Sequence, residues 1–532
     1  MAIFASRQSA IDVPDLSVTQ MLFEGLIGRE DDVVIVDGPT GRALTAGQLM
    51  AQIKALAGGL SKRGILPGGT VAILAPNIPE YPVVFHGVAW GGGTVTTINP
   101  TYTAPEIHFQ LKDAGAQILV TISMFEQVAR VAMEGTDCRE LVVLDGGGGE
   151  DGGSGGGGGD NGGDDNRALT LADIMGRELP AQAPVDLAND VVVIPYSSGT
   201  TGQPKGVMLT HRNLVANVCQ AAAMSDIQPT DTAIAFLPFF HIYGMTVLMN
   251  LFLNQRAKIV TMARFDLEMF LRLIQDHRAT RLYIVPPVAL ALAKHPMVDD
   301  FDVSSVNQIF SAAAPMGAET EAAVGTRFNT QSVQGYGMTE LSPISHMTSG
   351  DAIRHGSSGQ ALPLTECRIV DPSTLEDLGP GQEGELWVRG PQVMKGYLNN
   401  PDATAQTMAE GGWLRTGDLA EIDGDGFMFI RDRLKELIKY KGFQVAPAEV
   451  EAALCALEGV MDAAVIGRKD AEAGEVPIAF VVINGTVNEA TLRAHCEGCL
   501  ASYKRPVDYR FVDSVPKSAS GKILRRELRD AL

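Results

Sequence analysis

The sequence predicts an α/β protein. A large N-terminal domain of parallel-rich sheets with helices, extended by a small β-barrel, precedes a small α+β C-terminal domain. Three observations carry this expectation. From residue 35 to about 345, short β-branched runs alternate with helix-length amphipathic stretches. From Gly359 to Gly396 the chain becomes rich in Gly and Pro, with short strand patterns that read as a small β-barrel or sheet. Beyond a charged break at 431–436 lies a unit of about a hundred residues, an ordinary size for one domain. A length of 532 residues is also too great for a single core.

Taken in order, runs 71–74 and 117–121 read as strands, and 45–63 and 79–90 read as helices. Thr45 suits an N-cap and Pro79 suits a first helical turn. Residues 146–163 hold thirteen glycines in eighteen positions, so 146–166 is expected to be a disordered loop inserted within one domain. Block 191–194 suits a buried strand, and Thr210 suits the cap of a helix with Leu214, Val215, Val218 and Ala222 on one face. Strands at 366–370 and 384–389 fall in the barrel, about 350–430. The boundary is placed at 431–433, giving domains 1–431 and 432–532. The second should run strand 437–441, helix 447–457, strands 462–467 and 477–484, and helix 488–499.

The net charge of −21 argues against nucleic acid or an anionic membrane as the main partner. Six scattered cysteines fit a reduced cytoplasmic protein, and Cys496-x-x-Cys499 reads as ordinary thiols rather than a zinc or redox site. The N-terminal residues lack a secretory pattern, the apolar run near 243–253 is far short of a membrane span, and Arg529–Leu532 is no obvious peroxisomal address.

The segment 196–206, Tyr-Ser-Ser-Gly-Thr-Thr-Gly-Gln-Pro-Lys-Gly, brings three glycines, four Ser/Thr hydroxyls and Lys205 together in eleven residues. A strand that delivers such a loop to a helix can wrap N–H groups around phosphate oxygens. The order Gly202-Gln-Pro-Lys-Gly is not that of a Walker loop. In 334–340, Gln-Gly-Tyr-Gly-Met-Thr-Glu, the glycines let backbone approach a planar ring, and Thr339 and Glu340 offer oxygens to phosphate and Mg²⁺. Asp418, in Thr416-Gly-Asp, suits a ribose diol. Arg431, Arg433, Lys435, Lys439 and Lys441 collect at the domain boundary, with Lys439 and Lys441 on one face of strand 437–441.

Together with 432–445 and the Pro-Lys-Ser-Ala-Ser-Gly-Lys run of 516–522, these segments resemble the acyl-adenylate-forming (AMP-binding) superfamily, most closely its 4-coumarate–CoA ligase branch. The resemblance spans nearly the whole chain in order. It implies that a carboxylic acid attacks ATP to give acyl-AMP, which CoA then converts to a thioester. Ser197, Ser198, Gly199, Thr200, Thr201 and Lys205 would hold phosphates, with Thr339 near the α-phosphate and Glu340 as Mg²⁺ ligand. Gln334 and Gly335 would line the adenine and acyl face, and Asp418 and Arg433 the ribose. Lys522 would serve adenylation; Lys439, Lys441 and Gly442 would serve thioester formation, with Gln444 near AMP. Lys435 takes the hinge position of a mobile C-terminal domain, and Arg264 would contact the CoA nucleotide. His241, Tyr243, Gly244, Ala313, Gly335 and Met338 would form the acyl pocket. His241 supplies no carboxylate for an α-amine, so a hydroxycinnamate is favoured over an amino acid, with fatty acids as the alternative. A fatty acyl–AMP ligase, a light-emitting oxygenase and a non-catalytic nucleotide sensor remain competing readings.

Overall fold

The computed structural model describes residues 3–145, 168–197, 204–349, 352–441, 443–470, 472–485, 487–518 and 521–532. The glycine-rich loop 146–166, the phosphate-loop residues Ser198, Gly199, Thr200 and Thr201, and Gly442 lie outside them.

Two large sheets build the N-terminal part. In the first, Val191–Ser197, Thr94–Thr97, Thr70–Leu74, Ala116–Thr121, Glu140–Val143 and Leu169–Thr170 run parallel as neighbours. In the second, Gln331–Gly337, Gln308–Ser311, Arg281–Ile284, Thr232–Ala235, Lys258–Thr261 and Val33–Asp37 do the same. Parallel strands need helical crossovers that cover both faces, which is why their runs are apolar on both sides. Helix Ala46–Lys62 starts at Thr45, whose hydroxyl accepts from Gln48 N while Gln48 returns a bond to Thr45 N. Helix Glu80–Trp90 is buried at every residue, as its nearly uninterrupted apolar sequence requires.

One expectation changes here. The loop after Ser197 does not lead straight into a helix: Lys205–Thr210 is a strand, antiparallel to Val191–Ser197 with Lys205 opposite Ser197. Burial of Val207 and Leu209 holds it in the sheet, and only then does Thr210 cap helix His211–Ser225. The region read as a small β-barrel or sheet is an antiparallel sheet of six strands, in which Phe4–Ala5 and Met408–Ala409 end the main pairing path without pairing to each other. The chain's start thus completes a sheet built mostly from residues 366–433.

Strand Met428–Arg433 pairs with Trp413–Ile422, so Arg431 and Arg433 belong to that sheet. The cores divide beyond it, one running from Val18 to Met428 and the next beginning at Ile438. In the C-terminal unit, Val460–Asp470 and Gly474–Ile483 pair antiparallel under helices Pro447–Ala456 and Glu489–Cys499. The sequence pattern passed over strands Phe443–Val445 and Asp508–Phe511 and helix Arg525–Asp530. The lysine-bearing strand is shorter than expected. It covers Ile438–Tyr440, and Lys441 turns the hairpin at φ 47, so Lys439 and Lys441 do not share a strand face. Among the described residues no helix is long and apolar enough to cross a membrane.

Candidate active site

A cleft forms where the two parallel sheets, the antiparallel sheet and the C-terminal unit meet. Strand Val191–Ser197 ends at Ser197, whose hydroxyl donates to Glu340 Oε1 at 3.1 Å. Tyr397 donates to the same oxygen at 2.8 Å, so Glu340 is buried with its second oxygen unclaimed by either hydroxyl. Lys205 holds its ammonium over the Tyr397 ring, 4.8 Å from the centroid. Tyr397 had no signal in its neighbourhood; it arrives because the short strand Gly396–Tyr397 pairs with Val207 and Met208.

Glu340 follows strand Gln331–Gly337, on the short turn Thr339–Leu341. Here the glycines are required by space. A Cβ on Gly335 would stand 2.4 Å from Phe310 Cζ, and one on Gly337 would stand 2.3 Å from the Pro343 carbonyl oxygen. Between them Tyr336 donates to Asp418 Oδ2 at 2.6 Å, and burial, with the Asp418 charge beside it, raises the phenol pKa. Asp418 faces Arg433 across the antiparallel pair at 3.4 Å. Gln334 precedes the Thr339–Leu341 turn on strand Gln331–Gly337. Its amide is buried and spent on Met316, accepting from N at 3.0 Å and donating to O at 3.1 Å, and on Glu321 at 2.6 Å. It fixes the wall beside the cleft rather than offering a free group to a ligand.

From the C-terminal unit comes Lys522. Its neighbour Gly521 packs so closely on Val285 that an added Cβ would lie 2.9 Å from Val285 Cγ2. Burial, then the Arg433 charge, bring Lys522 down to about 8, with Asp418 and Glu436 opposing. His241, only partly exposed, is brought down to about 4 by burial and then by the Lys522 charge. It is therefore a neutral imidazole at neutral pH, and its Nδ1 accepts from Tyr243 N at 3.3 Å. Tyr243 is buried, and its ring meets Phe310 at 6.5 Å. Gly244 opens a π-helical segment, Gly244–Asn250, where a Cβ would lie 2.3 Å from the Pro238 carbonyl oxygen. Ala313 takes a left-handed φ of 76 just past strand Gln308–Ser311, a strained position held by its surroundings. Met338 packs partly buried against the same core.

The remaining candidates stand elsewhere. Lys435, Lys439, Lys441, Gln444 and Arg264 are exposed. Lys439 pairs with Gln444 across the hairpin and donates its backbone N–H to Glu475. Lys522 reaches the cleft while the Lys439 hairpin faces solvent. Cys496 is buried and Cys499 exposed, both free, and no group of metal-binding side chains of three or more occurs among the described residues. A divalent cation would therefore rest on Glu340 and on ligand oxygens, the arrangement Mg²⁺ adopts with phosphates.

The pattern of the AMP-binding enzyme family matches residues 26–398, and that of the AMP-binding enzyme C-terminal domain matches 449–522. The chain is 42% identical to "4-coumarate--CoA ligase 5" of Oryza sativa subsp. japonica, over 100% of this chain and 97% of the relative. Its identity to "4-coumarate--CoA ligase 1" of Petroselinum crispum is 41%, over 99% and 96%. Among solved structures it superposes on the anthranilate CoA ligase AuaEII in complex with anthranoyl-AMP with a TM-score of 0.87, at 25% identity and 98% and 99% coverage. ATP-bound MatB from Rhodopseudomonas palustris gives a TM-score of 0.84 at 29% identity, covering 97% and 99%.

Proposed function

The chain belongs to the AMP-binding enzyme family, and from that premise we propose that it activates a hydroxycinnamate-type acid in the cytoplasm through the residues gathered in this cleft. It is an AMP-forming acid–thiol ligase that joins an acid to CoA at the expense of ATP. Two steps follow. The acid carboxylate attacks the α-phosphorus of ATP and expels pyrophosphate; the CoA thiol then attacks the acyl carbon and expels AMP.

The observation that carries the assignment of roles is the meeting of the charged Lys522, Asp418 and Arg433 with the neutral His241, groups from two domains gathered at one place. Lys522 and Lys205 stabilise charge on the phosphates, Tyr336 stacks near the base, and Asp418 and Arg433 bind the ribose. Neutral His241 leaves the acid carboxylate anionic, as the nucleophile must be. Glu340 would hold Mg²⁺, which when bound supplies positive charge to the phosphates. Exposure of Lys439, Lys441 and Gln444 supports a second arrangement, in which the C-terminal unit turns about Lys435 and presents that hairpin for the CoA step.

The acid is tested by AMP release with CoA across cinnamate, 4-coumarate, octanoate and palmitate. Faster turnover of an arylpropenoic acid is expected. A preference for palmitate over both aromatic acids would replace the reading with a fatty acyl–CoA ligase, and ATP binding without AMP release would make it a sensor.

A further inference from the structure

The aromatic core that adjoins Tyr243 holds a hydroxyl without a partner among the described residues. Tyr283 is 1% exposed, and its OH has no hydrogen-bond partner among the described residues. Buried hydroxyls are ordinarily satisfied, so an exception needs a physical reason, and here its place beside Tyr243 supplies one. Strand Arg281–Ile284 continues extended through Val285. Its period of two puts Val285 and Tyr283 on one face. Val285 touches Gly521 and so marks the level of Lys522. Tyr283 then lies one pleat repeat deeper, about 7 Å. In the parallel register Tyr283 stands opposite Phe310, ring to ring at 5.2 Å, and Phe310 in turn meets Tyr243. The three rings thus make one aromatic cluster, continuous with Tyr243, whose backbone N–H donates to His241 Nδ1. Thr246, three residues after Tyr243 in the π-helical segment, carries a second buried hydroxyl without a partner. Ser311 Oγ is also unpartnered, but it follows Phe310 on the strand and faces the other side.

We infer that the Tyr283 hydroxyl recognises an uncharged hydroxyl at the far end of the acid, and so selects hydroxylated over plain acids. The inference rests on the acyl-pocket reading given above. The surroundings set the class of the distal group. Phe310 and Phe252, the latter edge-on at 5.3 Å, make the site apolar, which disfavours a charged tail. Arg281, one repeat deeper, is no counter-ion for a second carboxylate. Its guanidinium is spent on Asp231, on the Ser225 and Asp226 carbonyls and on Gln308.

The test is kcat/KM for 4-coumarate and for cinnamate in wild type and Tyr283→Phe, with thermal unfolding as a check on the fold. Removing an unpartnered hydroxyl should leave the fold intact. The wild type should favour 4-coumarate; the variant should lose about tenfold or more on 4-coumarate, through KM, and keep its rate on cinnamate. An equal change on both acids, or on neither, overturns the inference. If the wild type turns over octanoate but neither aromatic acid, the proposed substrate has failed by itself. The same comparison is then made with 8-hydroxyoctanoate against octanoate, and an unchanged ratio in Tyr283→Phe again overturns the role of Tyr283.

Discussion

The Lys522 ammonium of the C-terminal domain lies close enough to the His241 imidazole of the N-terminal domain to help burial bring His241 down to about 4. The two domains thus contribute to one electrostatic site, and the lysine end of the C-terminal unit is the end turned inward. Lys439 sits on the opposite assignment, exposed on its hairpin. On the proposed two-step reading, the arrangement described is the one that forms acyl-AMP.

Lys522→Ala should therefore lower ATP–pyrophosphate exchange by about 10²-fold or more, as loss of a charge aimed at the developing phosphorane does. Thioester formation from supplied acyl-AMP and CoA should persist, and Lys439→Ala should show the reverse pattern. Equal loss of both steps in Lys522→Ala would break this division of labour.

The pKa of about 8 for Lys522 gives a pH limb with a definite sign. The charged form is the useful one, so kcat/KM for the exchange reaction in the free enzyme should fall about tenfold per pH unit above about 8. Stability should move oppositely. The folded pKa lies below the usual lysine value of 10.5, so between the two the unfolded chain holds the extra proton and folding gains as pH rises. Lys522→Arg keeps its charge across this range and should lack the limb. A limb unchanged in that variant would assign it to another group.

Glu340 receives two hydroxyls on Oε1, from Ser197 and Tyr397. Glu340→Gln keeps an acceptor for both and removes only the charge. Adenylation should fall on the order of 10²-fold, with a higher Mg²⁺ concentration needed for half-maximal rate. A Mg²⁺ titration that superposes on wild type would remove Glu340 as the metal ligand.

What the sequence could disclose was set by range. Thr45 and Thr210 cap the helices expected of them because a cap is a matter of a few neighbouring residues. Asp418 and Arg433 are neighbours through strand pairing, and the sequence supplied both without their 3.4 Å contact. Tyr397, under Lys205 and against Glu340, was not legible at all, because it reaches the cleft by a two-residue pairing with a distant strand. The partners of the Gln334 amide were hidden for the same reason: Met316 and Glu321 come from the preceding loop and helix. The strand Lys205–Thr210 was hidden by its glycine and by the helix cap at its end, and only its pairing to Val191–Ser197 makes it a strand.

Glu321 offers a test of that wall without touching any proposed ligand contact. It is buried at 1% exposure and accepts from Gln334 Nε2 at 2.6 Å, from Gly356 N at 2.9 Å and faces His355 Nδ1 at 3.0 Å. Through Gln334 it sets Met316, and with it the segment that holds Ala313 at its left-handed φ. Glu321→Ala leaves one N–H of the Gln334 amide and the part-buried Gly356 N–H without an acceptor, while the other Gln334 N–H keeps the Met316 carbonyl, at a cost of about 2 kcal/mol in chemical denaturation. Glu321→Gln retains a carbonyl oxygen and should recover part of that loss. On the proposed reading the segment around Ala313 borders the acid, so the KM for acid should rise in Glu321→Ala while the KM for ATP changes little. Equal rises in both would mean that Glu321 supports the domain as a whole, and unchanged stability would mean that the Gln334 contacts do not hold this wall.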